Sequence, residues 1–134
     1  MSVSVVRNDL TLYDRNGDGW WDPKDRAFAS LRHVNALRLE ILDAWMGSGN
    51  DLTDVFVVDL GCGGGLLSVP LAERGAGVVG IDRSEVSLAT ARDHAPAEAD
   101  FLHADLCAVP LADAAADVVL LADVLEHVDD PAAA

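Results

Sequence analysis

Apolar and polar residues alternate along the chain in two patterns, one typical of buried strands and the other of amphipathic helices. Residues 55–58, 78–81 and 118–121 form continuous apolar runs, as expected of strands buried on both faces of a parallel sheet. A shorter strand is predicted over residues 101–103. Over residues 25–46 the apolar positions recur at helical spacing, which predicts one amphipathic helix.

Helices are also predicted between the strands. One covers residues 66–74 and ends at Gly75. A second takes Ser84 as its N-cap and ends near His94, and a third starts at residue 124. Strands that alternate with helices imply right-handed crossovers and an open parallel sheet with helices on both faces. The predicted fold class is α/β, a Rossmann-like doubly wound sheet of which four strands are present.

The chain divides into two predicted regions. Residues 1–50 comprise a polar, turn-rich lead-in and the amphipathic helix, and residues 51–134 comprise the Rossmann-like domain. A doubly wound sheet usually has more than four strands, so we expect the chain to be an amino-terminal part, truncated at its carboxyl end. The fourth strand would then present an unpaired edge.

The composition fits a soluble globular protein and disfavours several partners. Apolar residues make up 51% of the 134, and the net charge of -14 disfavours nucleic acid, because an acidic surface repels phosphates. Cys62 and Cys107 follow neither a metal-binding nor a disulfide pattern, which favours the reducing cytoplasm. No apolar stretch approaches the ~20 residues that span a bilayer, so we expect at most peripheral membrane contact. The sequence leaves the oligomeric state open.

The strongest functional pattern is the glycine-rich stretch 61–65, between a predicted buried strand and a helix. Glycines there let the backbone turn sharply and approach a ligand, and the helix that follows presents free N–H groups. Asp82 ends the next strand about 20 residues later, where a carboxylate can bind ribose hydroxyls. This favours a nucleoside site over a tight turn with a surface aspartate. Asp105 borders the same crevice and either accepts a hydrogen bond from an adenine amino group or is a helix cap or a solvated loop residue.

Several segments together resemble a known family. The stretch DLGCGGG at 59–65 is similar to motif I of class I S-adenosylmethionine-dependent methyltransferases, with Asp82 as the acidic residue after the second strand. More narrowly, WWDP at 20–23, HVNALRL at 33–39 and DVLEHV at 123–128 resemble the ubiquinone-biosynthesis O-methyltransferases, the 3-demethylubiquinol 3-O-methyltransferase family. The resemblance covers nearly the whole chain.

This resemblance implies an enzyme that transfers a methyl group from S-adenosylmethionine to a phenolic oxygen of a polyprenylated catechol or hydroxyphenol. Considered without the resemblance, an arginine on an amphipathic helix, such as Arg38, is usually solvated. Trp20 and Trp21 are interpreted as packing residues rather than ligand contacts. The cofactor-binding residues that the resemblance implies are Arg38, Asp59, Gly61, Gly63, Asp82, Asp105 and Ala122.

Asp123, Glu126 and His127 form a candidate metal site, because positions i, i+3 and i+4 share one face of a helix. In eukaryotic members of the family that this chain resembles, an equivalent Glu-x-x-Glu-His is associated with a divalent metal, and oxygen ligands suit magnesium. The alternative makes Asp123 a helix cap and His127 the general base that accepts the phenol proton.

A second metal pattern lies near the amino terminus. The ligand order of a calcium-binding EF-hand loop is matched by Asp14, Asn16, Asp18, Gly19 and Asp25, with aspartate where the last ligand is usually glutamate. A polar turn before the tryptophans is the favoured interpretation. Two other functions stay open: methylation of another small molecule, and a nucleotide- or calcium-binding module without catalysis. A dehydrogenase is disfavoured because the loop lacks the third glycine of the dinucleotide motif.

Overall fold

A computed structural model describes residues 11–15, 17–47 and 51–134. The helices in this part of the chain are α1 (Thr11–Arg15), α2 (Ala29–Met46), α3 (Ser68–Glu73) and α4 (Glu85–His94). The strands are β1 (Phe56–Leu60), β2 (Gly77–Asp82), β3 (Ala99–His103) and β4 (Val118–Leu120). Two short 3-10 turns cover Gly17–Trp20 and Leu125–His127.

The strands form one parallel sheet with the order β3-β2-β1-β4. Val58 in β1 lies opposite Val79 in β2 and Val119 in β4. These β-branched side chains suit the pleated surface of a buried parallel sheet. The four predicted strands and the partial Rossmann-like α/β class are confirmed, and β4 lies at an edge of the described sheet as expected.

The two faces of the sheet pack against different parts of the chain. On the first face, Val57 is fully buried against α2 and α3, and Phe101 packs against α4. On the second face, Val58 and Ile81 pack against apolar residues of the connection 104–116. The described helices α2, α3 and α4 therefore cover one face, where the sequence predicted helices on both. The connection between β3 and β4 forms turns because it lacks helical periodicity.

The long helix α2 begins four residues later than predicted. The carboxylate of Asp22 accepts a hydrogen bond from the Lys24 N–H, and that of Asp25 accepts one from the Ala27 N–H. Aspartates that bind the backbone two residues ahead favour turns over helix. The helix starts at Ala29, beyond both turns.

The predicted helix after residue 124 was wrong. Only the 3-10 turn Leu125–His127 forms, because Asp123 adopts the left-handed conformation, with φ of 56°. The predicted N-cap of α4 is confirmed, since the Ser84 hydroxyl accepts a hydrogen bond from the Ser87 N–H at 3.3 Å. The division of the chain at residue 50 stays a prediction. None of the described helices is both long enough and apolar enough to cross a bilayer.

Candidate functional site

A cavity of about 420 Å³ lies where the strands end at their carboxyl termini. The sheet brings these ends together because all four strands are parallel. Glu126 is the one predicted site residue that does not line the cavity. The predicted residues that do line it are Arg38, Asp59, Gly61, Gly63, Asp82, Asp105, Ala122, Asp123 and His127.

Asp59 is a buried carboxyl group near the end of β1. It is 3% exposed and accepts a hydrogen bond from the Ser68 hydroxyl at 2.6 Å. Burial raises the pKa of Asp59 to about 6, although the Ser68 bond acts in the opposite direction. The pair joins the end of β1 to the first residue of α3, so it closes the base of the glycine loop.

The glycine loop 61–65 turns back on the sheet at Gly61, where φ is 75°. The N–H groups of Gly61 and Cys62 both donate to the Ile81 carbonyl, at 2.7 and 3.0 Å. These two amides are therefore occupied within the fold. A Cβ on Gly61 would come within 2.4 Å of Val124, so a glycine is required there by packing as well as by φ.

Asp82 lies at the end of β2 with its carboxylate fixed by two backbone groups. One oxygen accepts from the Gly63 N–H at 2.9 Å, and the other accepts from the Ser84 N–H at 2.8 Å. A carboxylate has about four lone-pair sites, so each oxygen can accept a further hydrogen bond. Asp82 is thus held in one orientation at the cavity wall, with acceptor capacity for a pair of hydroxyls.

The tryptophan pair contacts the glycine loop directly. Trp20 is 6% exposed, stacks on Phe28 with ring centroids 4.2 Å apart, and donates to the Ser87 hydroxyl at 3.2 Å. A Cβ on Gly64 would come within 2.2 Å of Trp20. Trp21 donates through its indole N–H to the Gly64 carbonyl at 2.7 Å. The loop is therefore held by the segment that precedes α2, and Trp20 of this segment also lines the cavity.

Sequence reasoning missed several cavity residues. Tyr13 stacks on Trp20, and burial raises its pKa, with a further contribution from Asp82. Nothing local in the sequence indicates this contact. Asn35 was detectable, because it lies three residues before Arg38 on the same helix face.

Arg38 bridges two parts of the chain at the cavity. Its Nη1 donates to the Asn35 side-chain oxygen at 2.9 Å and to the Asp123 carboxylate at 2.8 Å. The hydrogen bond from Arg38 lowers the pKa of Asp123. Asp123 is therefore the partner of Arg38. The N-cap position of the following turn belongs to Val124, so the alternative of Asp123 as a helix cap was also wrong.

The predicted magnesium site does not form in the described part of the chain. Its three residues share no helix face, since the helix is absent and Asp123 turns towards Arg38. Glu126 is exposed and lies with an oxygen 3.8 Å from the His127 Nε2. Among the described residues, no three His, Cys, Asp or Glu side chains are placed to hold a metal ion. The residues present do not fit magnesium.

The EF-hand pattern is likewise not assembled among the described residues. The Asp14 carboxylate accepts a hydrogen bond from the Ser84 hydroxyl, and the Asp25 carboxylate binds the Ala27 N–H. Asn16 lies outside the described residues. Asp14 instead attaches α1 to Ser84, and Asp25 forms the turn before α2.

Acidic groups dominate the cavity wall. Seven aspartates and two arginines line it, which suits a ligand that carries positive charge and a carboxylate together. Asp105 is exposed and accepts from the Cys107 N–H at 2.8 Å, so it stabilises its own loop while lining the cavity. The interpretation as a loop aspartate agrees with this geometry, and the contact with adenine stays a prediction.

Comparison with known families matches residues 58–134 to a methyltransferase domain. The ubiquinone biosynthesis O-methyltransferase of Neisseria meningitidis serogroup C (strain 053442) is 40% identical over 136 residues, which cover 97% of this chain and 55% of that protein. The protein of the same name from Idiomarina loihiensis is 43% identical over 134 residues, with coverages of 97% and 54%. The chain spans about half the length of the curated relatives it matches.

Solved structures show the same architecture. The crystal structure of magnesium protoporphyrin IX methyltransferase from Synechocystis PCC 6803 with bound SAM superposes with a TM-score of 0.68. It is 28% identical and the match covers 92% of this chain and 62% of that chain. The four-stranded sheet of this chain therefore corresponds to part of the fold of a larger methyltransferase.

Proposed function

This chain belongs to the methyltransferase domain family, and on that premise we propose that it binds S-adenosylmethionine in its cavity for transfer of a methyl group. The proposed acceptor is a phenolic oxygen of a polyprenylated catechol, since the curated relatives are named for O-methylation in ubiquinone biosynthesis. We propose a cytoplasmic protein that meets this apolar acceptor through peripheral contact with the membrane.

The main support for cofactor binding is the fixed orientation of the Asp82 carboxylate. Its two oxygens are oriented by the Gly63 and Ser84 N–H groups, at the edge of the sheet where a nucleoside sits in folds of this class. Two hydroxyls on adjacent ribose carbons match the remaining acceptor sites. Asp82 therefore binds the ribose, and Asp105, beyond the end of β3, lies on the side proposed for the adenine.

S-adenosylmethionine supplies an electrophilic methyl group on a sulfonium, so the protein contributes mainly orientation and proton removal. The acidic wall of the cavity favours this positively charged group electrostatically. His127 lines the cavity, and its Nδ1 is buried without a hydrogen-bond partner among the described residues. We assign His127 as the base that would take the phenol proton while the methyl group passes from the sulfonium sulfur to the acceptor oxygen, which leaves S-adenosylhomocysteine as the product.

Calorimetric titration with S-adenosylhomocysteine tests the binding proposal. We expect Asp82→Ala to weaken binding by about 1–3 kcal/mol, the usual loss when buried polar groups lose a partner. Asp113→Ala is the matched control, because Asp113 is exposed and does not line the cavity. Thermal unfolding of both variants separates lost binding from lost folding.

The same titration distinguishes the alternatives. NAD and calcium ions are titrated beside S-adenosylhomocysteine, and we expect neither to bind. Unchanged affinity of Asp82→Ala for S-adenosylhomocysteine would remove Asp82 from the site. Preferential binding of NAD or calcium would replace the methyltransferase proposal with a nucleotide- or calcium-binding module. Methylation of a different small molecule would leave the binding data unaltered and would appear only in transfer assays with varied acceptors.

A further inference from the structure

The order of the strands indicates how the parts of a bound cofactor would be arranged along the cavity. With the ribose at Asp82 after β2 and the adenine towards Asp105 after β3, the rest of the cofactor extends towards β1 and β4. Neighbouring strands lie about 4.8 Å apart, so the amino-acid portion reaches the end of β4. This step rests on the proposed function of cofactor binding.

Arg38 is the cation at that end of the cavity. The two arginines that line the cavity are Arg38 and Arg83, and Arg83 directly follows Asp82 at the ribose end. Arg38 instead contacts Asp123, which comes just after β4. A guanidinium binds carboxylates through directed N–H groups, so Arg38 is placed for the carboxylate of the amino-acid portion.

We propose that Asp123 is a positioning residue, which fixes the Arg38 guanidinium at the β4 end of the cavity and so sets affinity for the amino-acid carboxylate. Nη1 of Arg38 donates to Asn35 on one side and to Asp123 on the other. The guanidinium has five N–H donors, so these two bonds leave donors for a ligand. Holding the long side chain in place reduces the rotamer entropy that binding would otherwise cost.

The backbone at Asp123 supports this assignment. Its φ of 56° lies in the left-handed region, which aspartate and asparagine adopt more readily than most residues. In this conformation the side chain of Asp123 reaches Arg38, which lies 85 residues earlier in the chain. A test must keep this backbone conformation, and both asparagine and glycine do.

Two ligands and four variants form the experiment. S-adenosylhomocysteine carries the amino-acid portion, whereas 5′-methylthioadenosine keeps the adenosine and sulfur but lacks that portion. Their affinities are measured calorimetrically for Asp123→Asn, Asp123→Gly, Arg38→Met and the double variant Arg38→Met/Asp123→Gly. Asp113→Asn is the control for loss of one carboxylate charge, and thermal unfolding checks the folding of each variant.

We expect Asp123→Gly and Arg38→Met each to weaken S-adenosylhomocysteine about tenfold, the scale of one charge-assisted hydrogen bond. Asp123→Asn should lose less, because the amide oxygen still accepts from Arg38. Binding of 5′-methylthioadenosine should be unchanged in all of them. The double variant should be no weaker than Arg38→Met, since Asp123 acts through Arg38.

Additive losses in the double variant would overturn the proposal and assign Asp123 to direct contact with the ligand's ammonium group. Equal losses for both ligands would also overturn it, because Asp123 would then support the whole cavity. If S-adenosylhomocysteine bound the unsubstituted chain and Asp123→Gly equally tightly, the inference alone would fail, because the proposal of cofactor binding would stand. Failure to bind either ligand would remove the proposed function and this inference with it.

Discussion

Two tryptophans mark two unlike regions of the molecule. On the loop side, formed by the glycine loop, α4 and the segment before α2, Trp20 is 6% exposed and packs on the loop backbone. On the β4 edge, formed by β4 and the outer face of α2, Trp45 is 80% exposed beside Ile41 and Val119. The proposed cofactor contacts are thus built by packed residues, while the β4 edge retains apolar surface of the kind that other protein segments cover.

The largest expected effect comes from truncating the two tryptophans separately. Trp20→Ala should lower the free energy of unfolding by about 3–5 kcal/mol, because it leaves a cavity beside Phe28 and the loop. Trp45→Ala should change it by less than about 0.5 kcal/mol, since an exposed side chain loses little burial. Urea unfolding of both variants measures the difference. Equal losses would show that the two regions do not differ in packing.

On the loop side, the buried carboxyl group of Asp59 makes the free energy of unfolding depend on pH. Its folded pKa of about 6 lies above the ordinary value of 3.8, so the folded state holds the proton more tightly. The stabilisation from this group is full below about pH 4 and is lost as the pH rises through about 6.

Asp59→Asn should therefore be more stable than the unsubstituted chain at pH 7, by about 2–3 kcal/mol, and should gain nothing relative to it at pH 4. Asparagine still accepts the Ser68 hydrogen bond, so the loop geometry is kept. Unfolding at pH 4, 5, 6 and 7 measures the gap. A gap that stays constant across this range would show that Asp59 is not titrating between these values.

The smallest expected loss of stability comes from alanine substitution at two glycines that have similar φ angles, one in each region. Gly61 on the loop side has φ of 75°, and Gly47 at the end of α2 has φ of 58°. Alanine costs about 1–2 kcal/mol in this conformation at either site. Only the Cβ of Gly61→Ala also meets a neighbour, Val124, whereas no atom of the described residues lies within 4 Å of a Cβ at Gly47. Gly61→Ala should therefore be the more destabilised variant in thermal unfolding and should bind S-adenosylhomocysteine less tightly. Equal unfolding temperatures would remove the contact with Val124 from the explanation.

The sequence predicted the strands well because runs such as 55–58 and 78–81 are apolar throughout and have no helical alternative of adequate length. It also predicted the glycine loop with Asp82, since a short span of chain contains both. The contact of Trp20 with Gly64 was not predictable in this way, because nothing in the intervening residues indicates that the two meet. The left-handed Asp123 was missed for a similar reason: its partner, Arg38, is far away in sequence, and local spacing favoured a helix.

The predicted and the observed positions of Glu126 differ because a 3-10 turn forms after Asp123 in place of the predicted helix. The predicted helix would have placed Glu126 on one face with Asp123 and His127, but the 3-10 turn leaves it exposed and outside the cavity. The metal hypothesis depended on that helix, so it failed with it. Predictions that depended on the strands alone, such as the position of Asp105 at the crevice, agree with the cavity that the structure shows.

A crystal structure of this chain with S-adenosylhomocysteine would show directly whether Asp82, Asp105 and Arg38 bind the ligand. We expect the ribose hydroxyls within hydrogen-bonding distance of Asp82, the adenine towards Asp105 and the amino-acid carboxylate at Arg38, with the bond between Asp123 and Arg38 kept. A ligand bound in the groove beside Trp45, or one reversed so that its carboxylate lies at Asp105, would contradict the proposed binding mode.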